Sequence, residues 1–206
     1  MPTAVELSAN RTQITAGNAP ALTGRVFNSV NAPCASTSVT IFAKGYADSS
    51  YAAFATVSTD QLGQFTLAVR PSRQTAYGAN VSPTIRSNLL VVRVNTRVNL
   101  RSPVTPVPAN SARAVANPVT FVGDLDPDFT GVAVGLGTLL DRAGHSCFGP
   151  ISAECRFVVI QQALTGLTGT FSLTRDLPAG RGVYVVFTSA HQGTDKGAKS
   201  ITLNVG

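Results

Sequence analysis

The chain has no tryptophan, one methionine and two histidines, and only 13% of its 206 residues are charged. Each scarcity narrows what the protein can do. With no tryptophan and four tyrosines, it is poorly equipped to stack sugar rings on exposed aromatic platforms. That weakens an accessory carbohydrate- or cell-wall-binding role. Charge at about half the usual ~25% leaves the polar positions to Thr, Ser and Asn, which suit solvated strand faces better than helix surfaces. No apolar run reaches the ~18 residues that a bilayer crossing needs, so no membrane insertion is expected. The N-terminus, Met1-Pro-Thr-Ala-Val-Glu-Leu-Ser-Ala-Asn10, offers neither a basic n-region nor an apolar h-region, so no signal peptide is expected.

The charge that is present is lopsided. The net charge is +6, carried by 13 arginines and 3 lysines. Attraction to anionic polymers is weak at this density. Nucleic-acid recognition needs clustered basic residues with interleaved aromatics, and no such cluster occurs, so no nucleic-acid partner is expected. The chain also lacks a G-x-S-x-G elbow, a P-loop and an H-E-x-x-H helix. The expectation is a protein that is not an enzyme, with no cofactor and no metal.

What the chain does have is a repeat. Thr59-Asp-Gln-Leu-Gly63-Gln-Phe65-Thr-Leu67 returns about half a chain later as Thr165-Gly-Leu-Thr-Gly169-Thr-Phe171-Ser-Leu173, both T-x-x-x-G-x-F-[T/S]-L. Pro71 and Tyr77, then Pro178 and Tyr184, repeat a second spacing. A repeat of this period means two copies of one small domain in tandem. Phe121-Val-Gly123 stands over Leu22-Thr-Gly24 in the same alignment. Phe65, Phe171, Leu67 and Leu173 are expected in the two cores.

Short apolar alternations bounded by Gly, Pro, Asn and Asp are the strand signal. They predict strands over residues 5–9, 21–27, 38–44, 51–59, 63–70, 75–82 and 88–100, then 118–125, 129–140, 156–164, 169–175, 182–189 and 200–205. In the seventh, Val92, Val94, Val98 and Leu100 share one parity, while Arg93, Asn95, Arg97, Asn99 and Arg101 share the other. Period-2 alternation buries the first set. The three arginines then form either a solvated face or a basic stripe near the domain junction. Three prolines in residues 103–108 read as a stiff, extended linker. The expected organisation is an Ig-like β-sandwich over residues 1–101, a Pro-rich linker over 102–112 and a second sandwich over 113–206. The chain stops one residue after its last predicted strand, with no tail or anchor expected.

The string from Tyr51 to Tyr77 resembles the bacterial Ig-like repeats of secreted actinobacterial proteins. In those, a V-x-T-D-x-x-G-x-F hairpin precedes P-x-x-x-T-x-Y, matched here by Val57 to Phe65 and by Pro71, Thr75 and Tyr77. The match covers roughly residues 7–100. The second copy is degenerate: Gly166 replaces Asp60, and Leu177-Pro178-x-Gly180 before Tyr184 is closer to a fibronectin type III strand end. The resemblance implies an all-β fold of two tandem immunoglobulin-like sandwiches. It also implies that Tyr77 and Tyr184 form tyrosine corners, each phenol bonding to nearby backbone. It says little about function, because such repeats are grafted onto enzymes, adhesins and phage structural proteins alike.

Candidate chemistry is sparse. Cys147 and Cys155 flank a Gly149-Pro150 turn, and a disulfide there is favoured over a metal site with His145, which would be short of ligands and wrongly spaced. Cys34 reads as a small buried apolar residue. Asp124-Leu-Asp-Pro-Asp128 opens like a calcium loop but lacks its glycine and its glutamate, so a solvated loop or a looser cation site remains. If the second domain binds something specific, the loops carrying His145 and His191-Gln192-Gly-Thr-Asp195 are the candidates; variable loops with no ligand are the alternative.

The sequence therefore suggests a non-enzymatic structural or binding module, secreted or displayed on an actinobacterial cell surface. A phage virion surface protein, such as a capsid decoration or tail appendage, is the alternative. A protein or an anionic cell-wall polymer are the partners to weigh, with a homo-oligomer also open.

Overall fold

A computed structural model of the chain describes residues 1–102, 117–147 and 155–205. The described residues are all-β, with fifteen strands in four sheets. They form two compact units: Met1–Asn95 with Gln192–Thr194, and Thr96–His191 with Asp195–Gly206.

Unit 1 is a sandwich. One sheet has the order β1 (Ala4–Ala9), β3 (Ala21–Phe27), β6 (Gln64–Ala68). The other has the order β2 (Gln13–Thr15), β8 (Leu90–Asn95), β7 (Thr75–Asn80), β4 (Ser38–Gly45), β5 (Ala52–Ser58). All pairings are antiparallel except β2 with β8. Between the sheets lie Val5, Leu7, Leu22, Val26, Val39, Ile41, Phe65, Tyr77, Val92 and Val94, each at the inward position of its strand. Unit 2 repeats the plan with a three-stranded sheet, β13 (Thr170–Arg175), β10 (Val119–Asp126), β9 (Arg97–Ser102). Its second sheet is four-stranded: β12 (Arg156–Leu164), β11 (Ala133–Leu140), β14 (Gly180–Thr188), β15 (Gly197–Val205). Phe121, Leu125, Val134, Leu136, Phe171, Leu173, Tyr184, Val186 and Leu203 fill that core. Two opposed sheets with inward alternation are the immunoglobulin-like architecture.

The repeated motif has a repeated structure. Thr59 and Thr165 are buried, and each hydroxyl ties one loop to another. The Thr59 hydroxyl donates to the Cys34 carbonyl and accepts from the Thr37 N–H. The Thr165 hydroxyl does the same with the Phe129 carbonyl and the Val132 N–H. Gly63 and Gly169 follow at φ +69° and +67°, the left-handed region that a residue with a Cβ enters at a cost of about 1–2 kcal/mol. Their carbonyls accept from the N–H groups of Val26 and Leu125. Phe65 then pairs with Gly24, and Phe171 with Gly123. A Cβ at Gly24 would lie 2.2 Å from Phe65 Cζ and 2.4 Å from the Glu6 carbonyl oxygen. At Gly123 the distances are 2.5 Å to Phe171 Cζ and 2.1 Å to the Asn99 carbonyl oxygen. Glycine is needed where a ring and a neighbouring strand crowd one point. Phe65, Phe171 and Leu173 are core residues, and Leu67 is half-buried against the first core.

Two expectations need correction. The predicted strand over 88–100 is two strands, β8 and β9, interrupted at Thr96. Val92 and Val94 enter the core of unit 1, whereas Val98 enters that of unit 2, with Leu100 packed against it. The compact units accordingly part between Asn95 and Thr96, not at residue 101. The segment expected to be a linker over 102–112 lies outside the described residues from residue 103 on; the strands on either side of it in sequence, β9 and β10, are hydrogen-bonded neighbours in unit 2.

Candidate functional site

The residues with chemistry singled out by sequence are largely spent on structure. Asp141 closes a turn after β11: its Oδ1 accepts the His145 N–H at 2.8 Å, and its Oδ2 lies 3.3 Å from His145 Nδ1. The backbone bond from His145 chiefly, with the His145 ring adding to it, holds the Asp141 carboxyl below its ordinary pKa. Both side chains face solvent, so this is a hairpin clamp. Cys147 and Cys155 are joined in a disulfide with Cα atoms 6.2 Å apart. Cys147 donates its N–H to the Leu139 carbonyl, and Cys155 directly precedes Arg156, the first residue of β12. The disulfide therefore ties the start of β12 to the end of β11. Cys34 is a free cysteine, half-buried against the core of unit 1.

His191 packs edge-on against Phe129, with ring centroids 5.2 Å apart. Gln192 groups with unit 1, and Asp195 belongs to unit 2, where its carbonyl accepts the Thr96 N–H at 3.1 Å. The expected loop cluster of His191, Gln192 and Asp195 is thus divided. The expected arginine stripe does not form on one strand face either: Arg93 is on β8, whereas Arg97 and Arg101 are on β9 of the other unit. Arg101 Nε is 2.7 Å from Asp124 Oδ1, and Asn99 Nδ2 donates to Asp124 Oδ2 at 3.0 Å. Asp124, the first acid of the calcium-like string, is committed to that ladder. No group of three His, Cys, Asp or Glu side chains is placed to hold a metal ion among the described residues.

Tyr77 and Tyr184 are buried on corresponding strands, β7 and β14. Burial raises both phenols above the ordinary tyrosine pKa, tempered by the Thr75 hydroxyl beside Tyr77 and the Ser146 hydroxyl beside Tyr184. A Cβ at Gly182 would meet both the Tyr184 and the Ser146 hydroxyl oxygens within 3.0 Å. Yet neither hydroxyl reaches hydrogen-bond geometry with a partner among the described residues. Among the described residues, Tyr184 therefore does not make the backbone bond that defines a tyrosine corner.

The feature that sequence reasoning missed is the outward face of the four-stranded sheet in unit 2. Its central strand turns Val134 and Leu136 inward and Gly135, Gly137 and Leu139 outward. The Phe187 ring covers Gly135 and the Phe157 ring covers Gly137; a Cβ at either glycine would lie 2.4 Å or less from the ring tip. The two rings meet edge to face with centroids 5.7 Å apart. Across the sheet, Gly137 pairs with Val159 on one side and Val185 on the other. Phe157 is 49% exposed, Val159 45% and Leu164 68%. The remaining outward positions include Ala133, Gln162, Val183, Ala198, Ser200, Thr202 and Asn204, and Arg181 near the start of β14 shares their parity. The available signal was that Arg156–Leu164 and Gly180–Thr188 are apolar at both parities. That pattern marks a strand covered on both sides, whereas Phe157, Val159 and Leu164 stay exposed here.

No family model matches the chain, and no curated protein matches it. Solved structures similar to it include a tetra-tandem repeat from the extending region of a large adhesion protein, at 15% identity over 98% of this chain and 49% of that one, TM-score 0.39. The Yersinia pseudotuberculosis adhesin InvE gives 15% identity, 98% and 59% coverage and TM-score 0.41. A DUF4785 family protein from Legionella pneumophila gives 12%, 98% and 54%, TM-score 0.40. The chain spans about half the length of these structures. At such scores the likeness carries no argument about activity, and the all-β tandem architecture stands on the strands and sheets themselves.

Proposed function

We propose that the protein is a non-enzymatic structural or binding module that works outside the cytoplasm, secreted or displayed on a cell surface. The observation that carries the extracellular assignment is the Cys147–Cys155 disulfide, since such bonds persist in oxidising compartments and are rare in a reducing cytosol. The resemblance of residues 51–77 to repeats of secreted actinobacterial proteins favours the same location. Contact rather than turnover is supported by how the side chains are used. Asp141, His145 and Asp124 serve hairpin and ladder bonds, while Phe157, Val159 and Leu164 stay exposed on one sheet face. Exposed apolar patches of this kind mark interaction sites. The partner is a protein surface rather than an anionic cell-wall polymer, because the three arginines form no common strand face and Arg101 is already paired.

The test is thiol accounting by intact mass on protein recovered from its native compartment without reductant. One alkylated cysteine, Cys34, is the expected result, rising to three after reduction. Three alkylated cysteines before reduction would overturn the extracellular assignment.

A further inference from the structure

The repeat makes the two three-stranded sheets comparable residue by residue. Phe65 pairs with Gly24 on β3 and Phe171 with Gly123 on β10, and the residue after each glycine takes the outward parity. In unit 2 that residue is Asp124, and its neighbours close it: Arg101 at 2.7 Å and Asn99 at 3.0 Å. In unit 1 it is Arg25, opposite Glu6 on β1 and Gln64 on β6. Opposite charges facing each other across a ladder ordinarily pair. These do not: among the described residues no ion pair joins Arg25 to Glu6, and the Arg25 Nε is buried with no hydrogen-bond partner.

A second row, Ser8, Thr23 and Thr66, lies in register two residues away on the same face. The Ser8 and Thr23 hydroxyls bond each other at 2.9 Å. The two rows line a groove of about 240 Å³. We infer that this groove, on the outward face of the β1-β3-β6 sheet, is a binding site for a free amino acid, with the carboxylate on Arg25 and the ammonium on Glu6.

The chemistry of the lining selects that ligand. A buried N–H without an acceptor is costly, and the planar guanidinium fork suits a carboxylate. Directly opposite residues on an antiparallel pair have Cβ atoms about 5 Å apart, so one small molecule can touch both charged groups. A simple anion on Arg25 would be repelled by Glu6, and a simple cation on Glu6 by Arg25. A zwitterion pairs with both. Gln64 and Thr66 add an amide and a hydroxyl, which take a polar side chain rather than an apolar one. The groove is smaller than the roughly 300–1,000 Å³ of sites for drug-sized ligands, which fits one amino acid rather than a peptide segment. Glu6, Gln64 and Thr66 are exposed, and exposed ion pairs contribute little each. The affinity is accordingly on the order of millimolar.

This goes beyond the binding-module reading and depends neither on the disulfide nor on the exposed face of unit 2. The experiment is a titration of the whole oxidised chain followed by its backbone amide resonances. The probes are L-serine, N-acetyl-L-serine, which lacks the ammonium, and L-serinamide, which lacks the carboxylate. Ionic strength is held constant, at a mildly acidic pH where the free amines are protonated. L-serine should move amides of β1, β3 and β6 saturably and leave unit 2 still. Each analogue should bind about tenfold more weakly or worse, the loss of one charged contact. Arg25→Met should abolish the L-serine response, and Glu6→Gln should reduce it to that of N-acetyl-L-serine, with the other resonances of both variants unchanged. A wild type that shows no saturable response to L-serine overturns the inference. So does equal binding of L-serine and either analogue, a comparison that needs no variant to fold, and so does a response that survives R25M.

Discussion

The two units carry one hairpin motif in two dialects. In unit 1 the turn is held by a side chain: Asp60 Oδ1 accepts the N–H groups of Leu62 and Gln64, both at 2.8 Å. In unit 2 the same place is Gly166, and no carboxylate holds the turn: it keeps the backbone bonds, Gly166 N–H to the Thr170 carbonyl and Gly169 N–H to that of Gly166, and the Thr130 hydroxyl donates to the Leu167 carbonyl. The buried threonine, the left-handed glycine and the phenylalanine over a glycine are common to both. Turn stability is thus negotiable, whereas the groups that join the hairpin to the sandwich are retained. Unit 2 makes good elsewhere, with a disulfide that unit 1 lacks.

The largest effects should fall on what is shared. Phe65→Ala and Phe171→Ala should each cost about 3–5 kcal/mol by denaturant unfolding. Similar costs are expected because both rings are at most 4% exposed over a glycine. A cost in one unit well below the other would break the equivalence. Replacing Cys147 and Cys155 by serine should cost unit 2 about 2.5 kcal/mol by loop-closure arithmetic. Hydrogen exchange should show faster opening at β11 and β12 and no change in β1 to β8. Thr165→Val should cost about 2 kcal/mol by leaving the Val132 N–H and the Phe129 carbonyl without their bonds. Thr59→Val should match it within a factor of two.

Asp60→Ala should cost about 1 kcal/mol, the worth of the turn bonds it removes. The reciprocal Gly166→Asp should recover less, because its Cβ would lie 3.3 Å from the Thr170 hydroxyl, which must give way. A full gain would mean the turn in unit 2 lacks only the carboxylate. The smallest effect concerns pH. The Asp141 carboxyl is held below its ordinary pKa in the fold. Its contribution is therefore present above the unfolded pKa and is lost as pH falls through the folded one. With the carboxyl partly exposed, the signature is local: the His145 amide resonance should move on acidification in wild type and stay put in Asp141→Asn.

Much of the architecture was legible because the motif joins local and long-range requirements in one short string. Thr, Gly, Phe and Leu at fixed spacing specify a turn, a left-handed residue and two inward positions. The unit boundary was hidden for a physical reason. From Val92 to Leu100 the inward parity never breaks, although Val94 and Val98 enter different cores. Alternation reports that a side chain is covered, not by which sandwich. The prolines drew the boundary too far along the chain, past β9, which belongs to the second unit. The exposed face was hidden for a related reason: glycines under phenylalanine rings read as core strands with breaks, and only the register shows that the rings lie outside.

The phenylalanine–glycine pairs also carry a one-way dependence in their geometry. At Gly24 the Glu6 carbonyl oxygen crowds the missing Cβ from the neighbouring strand, and at Gly123 the Asn99 carbonyl oxygen does the same. Shrinking the ring therefore does not release the glycine. A smaller apolar side chain at Phe65 or Phe171 would still leave a neighbouring carbonyl against any Cβ at the glycine beneath it, so the dependence runs one way: the ring can shrink, but the glycine cannot grow.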